Sequence, residues 1–212
     1  MKHKLTACMA RPAALPLLCY ALALLCWLAL GVRDMISDAG LPTWQQNAAD
    51  LELVELQELG GGSYTAYSMD PQMIWHNPDG RRVRTLSYSL TFVSEEPREI
   101  CLYYATAQDQ AFSADRRVFP TRDANGRYVY ILPRAGIMAL RLDPCSPEIG
   151  HTVTLTFEQD ALVFNAADTL PHGLGYFLPG WAQLFSLVLY PALAAAMLDW
   201  LAAAIKWLQK AV

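Results

Sequence analysis

Residues 85–93 read TLSYSLTFV, an alternation of large apolar and small polar side chains. Apolar side chains occupy every second position from Leu86 to Phe92, and serine or threonine lies between them. Because successive side chains of a strand point to opposite faces, this pattern predicts one β-strand with a single buried face. Residues 152–158, TVTLTFE, repeat the alternation and predict a second strand of the same kind.

Turn signals separate further strand-like runs on both sides of this stretch. Asn125-Gly126 lies between the runs 116–122 and 127–132, and an Asn-Gly pair in that position is a strong hairpin signal. The triple glycine at 60–62 has no lysine after it to contact a phosphate, so it predicts a turn or bulge. Strands recur at short intervals with no helical pattern between them, which favours a β-sandwich over a parallel sheet.

Both ends of the chain are apolar over lengths that suit a lipid bilayer. Residues 13–32 contain no charged side chain, and a helix of that length spans a hydrocarbon core of about 30 Å. Residues 176–205 contain a single charge, that of Asp199. The second helix either continues to 205 or ends near 198 and is followed by an interfacial helix over 199–210. The predicted fold class is an all-β sandwich flanked by N- and C-terminal transmembrane α-helices.

These patterns divide the chain into five parts. In order, they are a cytoplasmic tail at 1–12, a first transmembrane helix at 13–32, a linker at 33–50, a β-domain at 51–170 and a second transmembrane helix at 176–205. Basic residues lie before the first helix and after the second; they are Lys2, Lys4, Arg11, Lys206 and Lys210. Because cytoplasmic flanks carry the excess of lysine and arginine, both termini are predicted to be cytoplasmic and the β-domain extracytoplasmic.

A cleaved signal peptide is the alternative for the first apolar segment. Ala29-Leu30-Gly31 offers a small residue on each side of a possible cleavage site, and the preceding tail is basic. The apolar region of a signal peptide usually has about 7 to 15 residues, and the run at 13–32 is longer than that. An uncleaved anchor is therefore favoured.

Charge is distributed unevenly along the chain. The net formal charge is −4, yet eleven arginines and nineteen acidic residues lie between the two apolar segments. An acidic domain offers phosphate groups no attractive field, so nucleic acid is not an expected partner.

The chain lacks the spacings that mark common active sites. HExxH, GxSxG, a phosphate-binding loop ending in Gly-Lys-Ser/Thr and GxGxxG are all absent from the sequence. His76, His151 and His172 are far apart, so no local pair of metal ligands exists. The sequence therefore predicts no enzyme, no metal and no cofactor.

Two cysteines, Cys101 and Cys145, lie in the β-domain. In an oxidising compartment they could form a disulfide, or each could be a single buried thiol. Both alternatives stay open because the separation of their Cα atoms cannot be derived from sequence.

Aromatic residues on or beside the strands are the candidate ligand-binding residues. The candidates are Trp75, Tyr103, Tyr128 and Tyr130. Strand alternation turns some aromatic rings outward, where a ring can stack on a sugar. The alternative is that most of these rings belong to the core.

Three short motifs follow one another in a recognisable order. They are Asp70-Pro71-Gln72, Leu102-Tyr103-Tyr104, and Leu140-Arg141-Leu142-Asp143-Pro144 followed by Gly150. Over residues 51–160 this order resembles the extracytoplasmic β-sandwich, similar to carbohydrate-binding modules, of bacterial membrane proteins that assemble cell-surface polysaccharides. The resemblance implies a jelly-roll-like sandwich on the periplasmic side of the bacterial inner membrane.

The same resemblance implies a non-catalytic accessory or glycan-binding module. Its expected partners are the lipid bilayer, a glycan, and a membrane protein such as a glycosyltransferase or a polymer-assembly protein. One alternative is a purely structural subunit that docks on a polytopic membrane partner. Another is a periplasmic hydrolase or transferase, which would require residues such as Asp70 and His76 to share one pocket.

Overall fold

The computed structural model describes residues 13–93 and 99–211. The predicted cytoplasmic tail at 1–12, with its three basic residues, lies outside the described residues. The chain separates into two compact units. One is helical and comprises the residues up to Ala39 and from Pro171 onward, and the other is the β unit, Gly40–Leu170.

The helical unit contains two long helices and a short 3-10 helix. Helix α1 covers Ala14–Asp38, the 3-10 helix covers Gly173–Phe177, and helix α2 covers Trp181–Ala211. Both long helices are long and apolar enough to cross a membrane, by length and composition. Helix α2 continues without a break through Asp199, so the separate interfacial helix over 199–210 is not formed.

Large apolar side chains on both long helices are exposed. Leu17 is 67% exposed, Phe185 66% and Trp207 69%. A core helix of a water-soluble protein buries such side chains, because apolar surface in contact with water is unfavourable. The exposed surfaces of the two helices therefore differ from those of core helices in a water-soluble protein.

Fourteen strands are described in the β unit. They are β1 Trp44–Asn47, β2 Glu52–Val54, β3 Leu56–Gly60, β4 Ser63–Ala66, β5 Gln72–His76, β6 Thr85–Tyr88, β7 Leu90–Phe92, β8 Cys101–Ala105, β9 Arg117–Val118, β10 Thr121–Arg122, β11 Tyr128–Ile131, β12 Ala139–Asp143, β13 Val153–Phe157 and β14 Ala161–Phe164. They form three sheets with the orders β1-β14-β6-β11-β10, β2-β5-β12-β8-β9 and β3-β4-β13-β7.

Every pairing between the described strands is antiparallel. This arrangement confirms the predicted antiparallel β architecture between two apolar helices. One cluster of buried side chains draws on all three sheets. The finer jelly-roll arrangement stays a prediction.

The boundaries of the elements differ from the predicted ones at the start of the β unit. Helix α1 runs on to Asp38, past the predicted end at 32. Strand β1 begins at Trp44 and pairs with β14, so the segment 33–50 is part helix and part sheet. Its mixed composition hid the strand, because four residues are too few to show a period.

Residues 85–93 are not one strand. The chain leaves the first sheet after Tyr88 and enters the third sheet at Leu90, with Ser89 at the junction. Bends of this kind let one chain segment serve two sheets at a corner. Alternation cannot locate such a corner, because the side-chain period is the same on both sides of it.

The prediction of a single buried face is also wrong for β6. Thr85 is fully buried and Ser87 is 1% exposed. The Thr85 hydroxyl forms a hydrogen bond of 2.7 Å with the hydroxyl of Thr169. Small polar side chains are buried in this central strand because such partners satisfy their hydrogen bonds.

Two predicted turns are confirmed. Asn125-Gly126 joins β10 to β11, and the Gly126 amide donates to the Asp123 carbonyl at 3.0 Å. The triple glycine joins β3 to β4 with a bulge in their register. Gly62 has a φ of +76°, and a Cβ there would lie 2.7 Å from the Phe157 carbonyl oxygen, so only glycine fits.

Candidate binding site on the outward face of a sheet

The candidate site lies on the outward face of the sheet β2-β5-β12-β8-β9. Leu102, Leu140 and Leu142 of this sheet point into the core. Alternate residues of the same strands therefore point away from the core. Across β5, β12 and β8 the outward positions form two rows, His76 with Ala139 and Ala105, then Ile74 with Arg141 and Tyr103.

Arg141 is the centre of a polar network on this face. Its Nε and Nη2 donate to the two carboxylate oxygens of Asp143 at 2.7 and 2.9 Å, and Nη2 also donates to Asp70. Gln72 donates to the other oxygen of Asp70 at 2.7 Å. The guanidinium carbon lies 5.0 Å from the centre of the Tyr103 ring. A bidentate pair with stacking fixes the orientation of Arg141 and compensates its charge.

Burial sets the protonation behaviour around this network. It raises the pKa of Asp143 above its usual range, although Arg141 beside it acts in the opposite direction. Burial is likewise the main cause of the raised pKa of Tyr103. Both effects follow from the loss of solvation of the charged form.

Cys101 and Cys145 are free thiols, so the predicted alternative of a disulfide between them is not what the structure shows. Burial and then the charge of Asp143 raise the pKa of Cys101 to about 11 and that of Cys145 to about 12. Both thiols are therefore protonated and unreactive at neutral pH. Their burial agrees with the other alternative, two single buried thiols.

A cleft of about 470 Å³ opens at the first of the two outward rows. Its floor contains Ala105 and Ala139, which are register partners on neighbouring strands. Phe112 and Met138 contribute apolar walls. Polar groups also line the cleft; they are His76, Asn77, Gln108, Asp109 and Gln110. The site therefore combines apolar side chains with hydrogen-bonding groups.

Side-chain hydrogen bonds hold the walls of the cleft in place. The Gln110 Oε1 accepts from the amide and the hydroxyl of Thr106 at 2.7 and 3.2 Å, which fixes the loop after β8. Asn77 also lines the cleft, and its buried Nδ2 donates to the carbonyls of Ile137 and Arg81 at 2.7 and 2.8 Å. Because Gln110 and Asn77 are both tied to neighbouring backbone, the cleft is preformed.

The four predicted ligand-binding aromatic residues are not brought together. Tyr103 lies on the outward face, whereas Trp75 points to the core side of β5, with its ring centre 4.8 Å from that of Phe164. Tyr128 is 3% exposed and Tyr130 is fully buried. The Tyr130 hydroxyl bonds that of Tyr88 at 2.7 Å. Contact of these residues with a ligand stays a prediction, but the rings of Tyr128 and Tyr130 are not accessible here.

The residues proposed for a hydrolytic pocket are also separate. Asp70 is bound to Arg141, and His76 faces Glu52 with 3.2 Å between Nε2 and Oε2. The cleft that contains His76 does not contain Asp70. Within 13–93 and 99–211, no three histidine, cysteine, aspartate or glutamate side chains form a group that could hold a metal ion.

The cleft itself was missed by sequence reasoning, which looked for aromatic rings and charged groups. Its floor consists of two alanines, and a small residue gives no signal of a binding function. The available signal was position: Ala105 alternates with Tyr103 along β8, and Ala139 alternates with Arg141 along β12. Once Tyr103 and Arg141 are known to face outward, both alanines must do so as well.

The chain has a weak structural similarity to one carbohydrate-binding module. No protein family profile matches the chain. No curated protein matches it in sequence. Among solved structures, the chain is similar to a low-affinity xylan-binding module from the gut symbiont Roseburia intestinalis, with 17% identity and a TM-score of 0.37. That match covers 58% of this chain and 94% of the module. A similarity of this strength is a weak resemblance between β-folds and carries no conclusion about the ligand.

Proposed function

We propose that this chain is a non-catalytic, membrane-anchored glycan-binding module of bacterial envelope polysaccharide assembly. The observation that carries the binding part is the preformed cleft beside Ala105 and Ala139. A pyranose ring has apolar C–H faces and a rim of hydroxyl groups. The apolar floor and the Phe112 wall suit the faces, and the amide groups of Gln108 and Gln110 suit the hydroxyls.

The anchoring part rests on the exposed apolar surface of α1 and α2. Contacts within the helical unit support an uncleaved α1. Tyr20 donates to the Val188 carbonyl at 2.8 Å, and Trp27 donates to the Phe177 carbonyl at 3.3 Å. A Cβ at Gly31 would lie 2.5 Å from the Phe177 ring, so glycine there permits a close approach. The proposed cleavage site thus lies inside a packed helix.

The orientation follows from the basic residues at the two chain ends. Excess lysine and arginine near a span marks its cytoplasmic flank, which places both termini in the cytoplasm and the β unit in the periplasm in this proposal. A membrane-embedded transferase or polymer-assembly protein is the proposed partner.

The binding part is tested with the full chain in lipid nanodiscs. We expect saturable binding of at least one envelope sugar at concentrations of about 1 mM or below, because a preformed cleft avoids the cost of ordering its walls. Glycan-array screening followed by calorimetric titration measures it, with empty nanodiscs as the control. The proposal is contradicted when none of the arrayed sugars binds by 1 mM.

A docking subunit is the second candidate, and a groove between α1 and α2 favours it. The groove has a volume of about 630 Å³ and is lined mostly by apolar side chains, including Leu22, Leu30 and Leu198. A helix of a polytopic partner could pack there through van der Waals contacts. Co-purification of such a partner together with an absence of sugar binding would favour this second function.

A further inference from the structure

We infer that the cleft selects uncharged sugars and rejects anionic ones, such as units that carry a uronate or a phosphate group. This inference rests on the proposed function and names the ligand class for the same site. It is carried by the distribution of charge on the outward face of the sheet β2-β5-β12-β8-β9.

The cleft itself provides no positive charge. Among the described residues that line it, none is an arginine or a lysine. Its one carboxylate is that of Asp109, which is exposed on the loop after β8. His76 is the nearest basic group, and its Nε2 already faces the Glu52 carboxylate at 3.2 Å. A negatively charged ligand would therefore meet the Asp109 carboxylate and, among the described residues that line the cleft, no uncompensated cation.

The arginines of the neighbouring row are already paired. Arg141 holds Asp143 through two hydrogen bonds and also contacts Asp70. Arg117 on β9 donates to Glu99 at 2.8 Å. For an anionic sugar to use either arginine, it would have to displace a carboxylate, and Asp143 is a buried one. Leaving a buried carboxylate without its partner is strongly unfavourable.

Asp109 allows a conservative test of this idea. Its backbone has a φ of 58°, in the left-handed region that asparagine also adopts readily. Asp109→Asn therefore removes the charge without a change of shape or loop conformation. Glu58→Gln, at an exposed position of β3 in the third sheet, removes the same charge from a residue that does not line the cleft and serves as the matched control.

The experiment uses pairs of hexasaccharides with the full chain in nanodiscs. Each pair has one backbone, of glucose, galactose or N-acetylglucosamine units; one member is neutral and the other carries carboxylates from oxidation at C6. We expect at least one neutral member to bind about tenfold more tightly than its oxidised counterpart, because like charges repel at short range in the partly desolvated cleft. An oxidised member that binds as tightly as its neutral partner overturns the inference while leaving glycan binding intact. If neither member of any pair binds, the proposed function fails and the inference fails with it.

Charge removal at the cleft supplies the second readout. Asp109→Asn is expected to raise the affinity for the oxidised member about threefold or more. Its affinity for the neutral member should stay within about twofold of the wild-type value. Glu58→Gln is expected to leave the affinities for both members unchanged. Equal effects of the two substitutions would assign the selectivity to the net charge of the β unit and would overturn its assignment to the cleft.

Discussion

Replacement of Asn165 by alanine is expected to lower the midpoint of thermal unfolding of the β unit by about 10 °C. Asn165 is 1% exposed, and its side chain makes four hydrogen bonds to backbone groups. Its Nδ2 donates to the carbonyls of Pro42 and Arg82 at 3.3 and 2.8 Å. Its Oδ1 accepts from the amides of Arg84 and Thr85 at 2.7 and 3.2 Å. One side chain thus joins the segments before β1 and β6 to the end of β14.

The size of the effect follows from what the substitution leaves behind. Each buried donor or acceptor without a partner costs about 1 to 3 kcal/mol, so several at once cost about 4 kcal/mol. The backbone of Asn165 has a φ of 49°, where alanine adds a strain of about 1 kcal/mol. Glycine at this position avoids the strain, but it still lacks the hydrogen bonds of the asparagine side chain.

Thermal melts followed by the β-sheet circular dichroism of the full chain in nanodiscs measure these effects. Both variants should have unfolding midpoints far below that of the wild type. The midpoint of Asn165→Gly should be the higher of the two. Asn125→Ala, at an exposed turn, is the matched control and should shift the midpoint by less than about 2 °C. A shift of that small size for Asn165→Ala would contradict the structural role.

The second large effect is expected at Ala139, on the floor of the cleft. Ala139→Phe fills the cleft with a ring, so the affinity for the neutral hexasaccharide that wild type binds should fall by about tenfold or more. The substitution suits a strand and removes no hydrogen bond, so the unfolding midpoint should stay within about 3 °C of wild type.

The matched control is Thr91→Phe, at an exposed strand position of β7 in a different sheet. It adds the same ring to the surface without entering the cleft, and it should leave the affinity unchanged. Calorimetric titration of the three proteins gives the comparison. Wild-type affinity in Ala139→Phe would show that sugars bind elsewhere on the chain.

The sequence predicted the class of the fold because its signals are local. Alternation, the Asn-Gly turn and the two charge-free segments each depend on a few neighbouring residues. Corners between sheets are not local in this sense, and residues 85–93 pass from one sheet to another with no change of pattern. The same holds for Asn165, whose role depends on backbone groups far away in the chain.

The candidate site was harder to predict than the fold because alternation shows which residues share a face but not which face is buried. Tyr128 and Tyr130 share a side of β11, and the structure turns that side into the core. Trp75 likewise alternates with His76, so only one of the two can face outward. The alanines of the cleft floor are recognised only when the walls around them are known.

Determination of membrane topology tests most directly whether two spanning helices hold the β unit outside the cell interior. Green fluorescent protein and alkaline phosphatase are fused in turn to each terminus, and a cysteine at the exposed Asn125 is probed with a membrane-impermeant maleimide. We expect fluorescence without phosphatase activity at both termini, labelling of Asn125→Cys from the periplasmic side, and an intact chain of 23.6 kDa when no fusion is present. Phosphatase activity at either terminus, or loss of the first helix from the mature chain, would contradict the anchored arrangement.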